Sequence, residues 1–155
     1  AGTITAASSS SISDGAAATI LIGAGDARKR GLQPLARIAG HATHSLQPEW
    51  FTIAPVGAID KLLKKLGWSV ADVDLFEINE AFAVVAMAAM RELSIPHDRI
   101  NVNGGACALG HPIGATGARL VVTLVHAMIT RGARRGIAAL CIGGGEATAI
   151  ALERD

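Results

Sequence analysis

From Ala81 to Met90 every residue is apolar, so a helix across this stretch has no side left for water. Such a helix, expected over residues 79–93, is normally buried on all sides. Residues 118–130 repeat the pattern, with Leu120, Val121, Val122, Leu124, Val125, Met128 and Ile129 surrounding most of the circumference. Two wrapped-in helices point to a layered α/β fold with a mixed sheet and buried central helices. A chain of 155 residues is one domain of ordinary size, too small to cover both helices by itself. A second domain packing over this one is therefore expected. Hydrophobic residues make up 50% of the chain and aromatics only 3%, so the core material is Ala, Val, Ile and Leu, which suits tight helix–sheet packing.

Residues 55–67 form the clearest amphipathic helix. Ile59, Leu62, Leu63 and Leu66 share one face, and Asp60, Lys61, Lys64 and Lys65 the other. Proline near its start and Gly67 just past its end fit the usual asymmetry. A short helix over 26–30 is stopped by Gly31. Strands are expected over 16–22, 34–42, 74–78, 100–102, 137–142 and 147–152, with a polar loop over 43–49. The last two strands form a hairpin through Gly143-Gly144-Gly145. Residues 3–13 have the serine-rich composition of a solvated linker.

The charge balance, 14 basic against 13 acidic residues, gives no electrostatic footprint for nucleic acid or an anionic membrane. Two cysteines without metal-type spacing argue against a zinc site or a disulfide framework, and fit a reducing, cytoplasmic setting. No continuous apolar stretch reaches the ~20 residues of a membrane span. The start lacks the pattern of a signal peptide. A chain that opens on Ala1 rather than Met reads as the later part of something longer.

Chemistry concentrates in two glycine-rich segments. Cys141 closes the apolar run Gly136-Ile-Ala-Ala-Leu-Cys-Ile142 and meets three glycines, a turn that admits a substrate and backbone N–H donors close to the sulfur. His111 sits in Gly110-His111-Pro112 with Gly114 and Gly117 beyond, a segment built to hold a defined shape around a group that exchanges protons near neutral pH. The glycine spacing fits neither a P-loop nor a dinucleotide fingerprint. Cys107 lies four residues before His111, a spacing that suggests a Cys–His pair, but among Ala106, Ala108 and Leu109 it looks like a packed thiol, and Cys141 is preferred as the reactive one. Asn79 stands at the helix start, where Asn is a favoured N-cap but can also hold a water. Glu77 and Glu80 beside it are either pocket carboxylates or surface charges.

Three segments together resemble the thiolases: Glu77-Ile-Asn-Glu-Ala-Phe82, Asn101 through Arg119 around Gly-His111-Pro, and Cys141-Ile-Gly-Gly-Gly145. The similarity runs over the whole chain and matches the C-terminal half of such an enzyme, with residues 1–13 as the end of the preceding region and 14–155 as the C-terminal domain. The stretch Pro48 through Pro55 looks more like the biosynthetic, acetoacetyl-CoA type than the long-chain degradative type.

The resemblance implies reversible Claisen condensation of two acetyl-CoA to acetoacetyl-CoA and free coenzyme A. Coenzyme A thioesters would be substrates, with no cofactor and no metal. His111 would take the proton of a nucleophilic cysteine and, with a water on Asn79, bind the thioester oxygen. Cys141 would be the acid/base cysteine and Gly143 N–H an oxyanion donor. Ser10 would contact the pantetheine arm, with Ala6, Ile12, Ala81 and Phe82 lining its tunnel, so the linker becomes a substrate-binding loop. Partners implied are an N-terminal thiolase domain carrying the nucleophile and further copies in a homodimer or homotetramer. The family's approach loop usually carries Asn where this chain has Ser8, and often Gly where it has Ser11. Neither Cys107 nor Cys141 matches the nucleophile, so these residues alone are expected to be inactive. The alternatives are a degradative 3-ketoacyl-CoA thiolase and a non-catalytic module that binds coenzyme A or lipid.

Overall fold

A computed structural model describes residues 2–155; Ala1, the first residue of the expected 1–13 region, lies outside the described residues. Four strands form one mixed sheet: β1 (Arg37–Ser45), β2 (Leu75–Ile78), β3 (Arg135–Ile142) and β4 (Glu146–Glu153), in the order β1-β4-β3-β2. β4 runs antiparallel to both β1 and β3, and β2 runs parallel to β3. The helices are α1 (Ala24–Lys29), α2 (Ala54–Leu66), α3 (Ala83–Leu93), the single turn α4 (Ala106–Leu109) and α5 (Thr116–Arg131).

Strand alternation divides the core between the two faces of the sheet. Phe76, Ile78, Ile137 and Ala139 join Ile59 and Leu62 of α2 and Val85 and Ala89 of α3 on one face. Leu75, Ala138 and Leu152 join Leu120, Leu124 and Met128 of α5 on the other. Gly136 permits the close approach of α5, since a Cβ there would stand 2.8 Å from both Leu124 Cδ1 and Met128 Sδ. α2 matches its expected span closely. It has Pro55 in the first turn and ends at Gly67 (φ 66°), where Trp68 N–H bonds Leu63 O at 3.0 Å. The β3–β4 hairpin forms as expected, with Cys141 opposite Ala147 and Ile142 opposite Glu146.

Four expectations are corrected. Residues 16–22 form no regular element and, among the described residues, join no ladder, and Ile20 is 95% exposed; a strand needs a neighbour for its backbone groups. The strand expected over 34–42 runs from Arg37 to Ser45, taking part of the expected loop, and the turn Pro48–Ile53 is a 3-10 helix. Residues 100–102 join the sheet only through the bridge Phe76–Ile100, while Val102 bridges Gly104, because Asn101 turns away with φ 45°. Its side chain replaces the missing strand: Oδ1 accepts Ile78 N–H at 2.8 Å and Nδ2 donates to Ile78 O at 2.9 Å. The helix expected from residue 79 starts at Ala83 with Phe82 as N-cap, so Asn79 caps nothing and its side chain is free for other work.

The apolar helices are buried on their sheet-facing sides only. In α3, Val85, Ala86 and Ala89 are buried, whereas Val84 and Met87 are exposed. On α5 the outward Ile129 is exposed and Val121, Val122 and Val125 are half-buried. The stretch Ile113–Arg131 has the length and apolar composition of a membrane span. Its inner side is committed to the sheet and it carries the ion-paired Arg119.

Candidate active site

The parallel strands β2 and β3 end side by side, and chemistry gathers at their carboxyl ends, where open α/β sheets commonly bind ligands. Asn79 follows directly on β2, held by its N–H to Ala139 O at 2.9 Å. Cys141 lies two residues further along β3.

His111 reaches this mouth from the loop between α4 and α5. Its backbone N–H bonds Ser11 O at 2.8 Å, and the residue forms a parallel bridge with Ile12. Gly110 before it has φ 92°, and any side chain there would overlap Ser13 Oγ, so only glycine passes the approach segment this closely. The imidazole Nε2 stands 3.4 Å from Asn79 Nδ2, and Nδ1 stands 3.4 Å from Thr116 Oγ1. Burial, and then the Arg119 charge, hold the His111 pKa below that of a free imidazole, leaving a neutral ring at pH 7.

The serine-rich approach is laid into the site as an ordered loop. Ser10 N–H and Ser10 Oγ both donate to Ala81 O, at 3.1 and 2.9 Å, and Ser9 bridges Phe82. Because the Ser10 hydroxyl proton is committed, its oxygen can meet a ligand only as an acceptor. Ile12 is 85% exposed beside His111, while Phe82 is half-buried and stacks edge-on with Phe51, ring centroids 6.3 Å apart. Ala6 lies in the exposed 3-10 turn Ala6–Ser8, one turn before this contact.

Cys141 and Gly143 come from a separate element, the β3–β4 hairpin. The half-buried Cys141 packs against the core that also holds Phe82. Burial raises its thiol pKa, so it stays protonated at pH 7. Among the described residues, no hydrogen bond joins its sulfur to His111 or Asn79. Gly143 is exposed at the turn, with open space where a side chain would be. The turn is closed by Gly145, at φ 95°, where a Cβ would overlap Leu46 O.

Several partners escaped sequence reasoning. Glu77, 1% exposed, pairs with Arg119 NH1 at 2.9 Å, and Arg119 NH2 donates to Asn79 Oδ1 at 3.2 Å. Desolvation pushes the Glu77 carboxyl up to about 7, even against the attraction of Arg119. Glu80 accepts Asn101 Nδ2 at 2.7 Å and Cys107 N–H at 3.1 Å, tying the turn before His111 to the end of β2. Cys107 is half-buried with its sulfur 3.7 Å from Glu80 O, the packed thiol its neighbours suggest. The available signal was a carboxylate between Phe76 and Ile78 and an arginine just before the apolar run Leu120–Val122, since such charges are buried only when paired. Among the described residues, no cluster of three or more His, Cys, Asp or Glu is placed to hold a metal.

Known proteins give the same picture. The family model described as "Thiolase, C-terminal domain" matches residues 32–154. The acetyl-CoA acetyltransferase of Chromobacterium violaceum is 54% identical over 99% of this chain, and that of Pseudomonas aeruginosa 52% identical over 99%. This chain spans 39% of the length of each of these relatives. Among solved structures, the Bacillus anthracis acetyl-CoA acetyltransferase superposes with TM-score 0.96 at 46% identity, over 98% of this chain and 39% of that one. Human mitochondrial 3-ketoacyl-CoA thiolase superposes with TM-score 0.89 at 37% identity, over 99% of this chain and 39% of that one. Motifs, sheet topology, family match and relatives agree, and the chain belongs to the thiolase family, of which it carries the C-terminal domain.

Proposed function

We propose that this chain supplies the base, oxyanion and substrate-contacting groups of an acetyl-CoA acetyltransferase. The observation that carries the reading is the meeting of His111 Nε2 and Asn79 Nδ2 at 3.4 Å, beside the ordered loop from Ser9 to Ile12. The nucleophilic thiol comes from the part of the full-length enzyme outside these residues, as does the layer over the exposed side of α3. Residues 1–13 belong with the coenzyme A-contacting region and 14–155 with the C-terminal domain.

In the proposed reaction the nucleophilic thiol gives its proton to His111 Nε2, and the thiolate attacks the acetyl-CoA carbonyl. The oxyanion is met by the imidazolium N–H and a water on Asn79. The C–S bond to coenzyme A breaks, and the leaving thiolate takes the proton back. Cys141 first gives up its thiol proton to solvent, and its thiolate then takes an α-proton from a second acetyl-CoA. The carbanion attacks the acetyl-enzyme, whose oxyanion lies against Gly143 N–H. The C–S bond to the nucleophilic cysteine breaks, acetoacetyl-CoA leaves, and the released thiolate takes a proton back from solvent. Losing one such oxyanion donor typically costs about 2.7–4 kcal/mol of transition-state stabilisation. A neutral His111 and a protonated Cys141 are the resting states that cleavage in the reverse direction requires, with Cys141 protonating the departing carbanion.

The pantetheine arm runs past Ser10, with Ala6, Ile12, Ala81 and Phe82 along its tunnel. A cytoplasmic, homodimeric or homotetrameric enzyme belongs to the same proposal; a mouse relative 48% identical over 99% of this chain is named a cytosolic acetyl-CoA acetyltransferase. The 37% identity to human mitochondrial 3-ketoacyl-CoA thiolase motivates a second reading, preference for longer 3-ketoacyl chains. Thiolysis assays of the full-length protein on acetoacetyl-CoA and longer 3-ketoacyl-CoAs separate the two. Higher kcat/KM on acetoacetyl-CoA supports the first, and higher values on long chains refute it. The 155 residues alone should be inactive, and appreciable thiolysis by them would contradict the assignment of the nucleophile elsewhere.

A further inference from the structure

One chain of hydrogen bonds reaches from the buried Glu77 to His111, and its direction is fixed by chemistry. An arginine guanidinium carries donors only. The atom of Asn79 that faces Arg119 NH2 at 3.2 Å is therefore the carbonyl oxygen. That leaves the amide NH2 facing His111 Nε2 at 3.4 Å. At the far end, Thr116 Oγ1 donates to Ile113 O at 3.0 Å, so toward His111 Nδ1 the hydroxyl offers a lone pair. The Arg119 end sets the answer and the shorter Thr116 bond agrees with it: Nδ1 carries the proton and Nε2 the lone pair. Glu77 holds the Arg119 end still, with NH1 to Oε1 at 2.9 Å.

We infer that Arg119 is a positioning residue that sets the tautomer of His111, acting through the amide of Asn79. The consequence rests on the proposed reaction, in which Nε2 must accept a thiol proton. An amide turned the other way would present Oδ1 to Nε2 and stabilise the N–H form there, leaving the ring unable to act as base. Arg119 touches no reacting atom. It works by removing the choice of amide orientation that an isolated asparagine has. Glu77, Arg119 and Glu80 are the charged groups near this chain of bonds: Glu77 and Glu80 flank Asn79 in sequence, and Arg119 faces it from α5.

The test is nitrogen-15 NMR of the full-length protein labelled at histidine, at about pH 8 where imidazole is neutral. The His111 signal is assigned by its loss in His111→Gln. The native protein should show the Nδ1–H tautomer. Arg119→Met should show a mixture of tautomers, with kcat lower by about 10- to 100-fold, the scale of losing a group that orients a functional imidazole. KM should stay within about threefold, because no substrate contact is removed. Should Arg119→Met fail to fold with Glu77 left unpaired, the double variant Glu77→Gln/Arg119→Met removes both charges and is read in the same way. An Nε2–H tautomer in the native protein, or an unchanged tautomer with kcat within twofold of native in the variant that folds, overturns the inference. A protein without thiolase activity would refute the proposed reaction instead, and the tautomer readout would still judge Arg119.

Discussion

Three successive glycines close the β3–β4 hairpin, and the structure predicts that alanine at each will have a different cost. At Gly145 the φ of 95° is one that residues with a Cβ rarely adopt, which costs about 1–3 kcal/mol. The added Cβ would also overlap Leu46 O and stand 3.1 Å from Gln47 C and Pro48 Cα. These are backbone atoms that cannot rotate aside, so crowding adds about 1–3 kcal/mol. Displacing that strand end endangers the 2.9 Å bond from Leu46 N–H to Gly145 O, worth about 1 kcal/mol. The expected loss for Gly145→Ala is therefore about 3–7 kcal/mol, or roughly 6–28 °C in Tm for a domain of this size. At Gly144 a Cβ meets only the flexible Glu146 carboxylate, at 3.3 Å, and the loss should stay below about 1 kcal/mol. At Gly143 it meets open space, so the loss should be within about 0.5 kcal/mol. Thermal and urea unfolding of the three variants of the full-length protein measure this gradient. Equal losses at the three positions, or a larger loss at Gly143 than at Gly145, would refute it.

Two further outcomes follow from buried groups. The Glu77 pKa, raised from 4.5 to about 7, means the folded protein holds this proton more tightly than the unfolded chain does. Its contribution is full below about pH 4.5 and lost as pH rises through about 7, up to roughly 3 kcal/mol in all. The stability of the native protein relative to Glu77→Gln should thus decline across that window and then level off; a flat difference contradicts it. Gly57 of α2 leaves room for the His44 ring, which an added Cβ would overlap. Alanine in a helix normally gains about 1 kcal/mol over glycine, yet here Gly57→Ala should destabilise by about 1–2 kcal/mol. The same change should become stabilising in a His44→Ala background, as chemical denaturation of the four-member cycle would show.

Elements governed by local pattern were legible in the sequence. The apolar stripe of α2 and its glycine stop fixed that helix to within about a residue, and the triple glycine marked the hairpin. Elements governed by partners distant in sequence were not. Residues 16–22 have the composition of a strand without a described neighbour to pair with. α3 starts at Ala83 because Ser9 and Ser10, some 70 residues away, bind Ala81 and Phe82 and hold Phe82 extended. At the site, glycine chemistry pointed to the segment holding His111 and to the turn after Cys141. Asn79 was found through its motif, although the helix-start position that suggested a cap was misplaced. Glu77 was seen only as an undecided carboxylate and its pairing with Arg119 stayed hidden, because local sequence does not show which charge lies opposite across 42 positions.

The central claim is that Cys141 moves a proton while another cysteine carries the acyl group. The direct test is full-length Cys141→Ala, followed through its two half-reactions. Acetyl transfer from acetyl-CoA to the enzyme, measured with radiolabelled acetyl groups, should proceed near the native rate. Condensation to acetoacetyl-CoA should fall by at least about 100-fold, the scale of losing a general base. Condensation at a near-native rate, or loss of enzyme acetylation itself, would contradict the account.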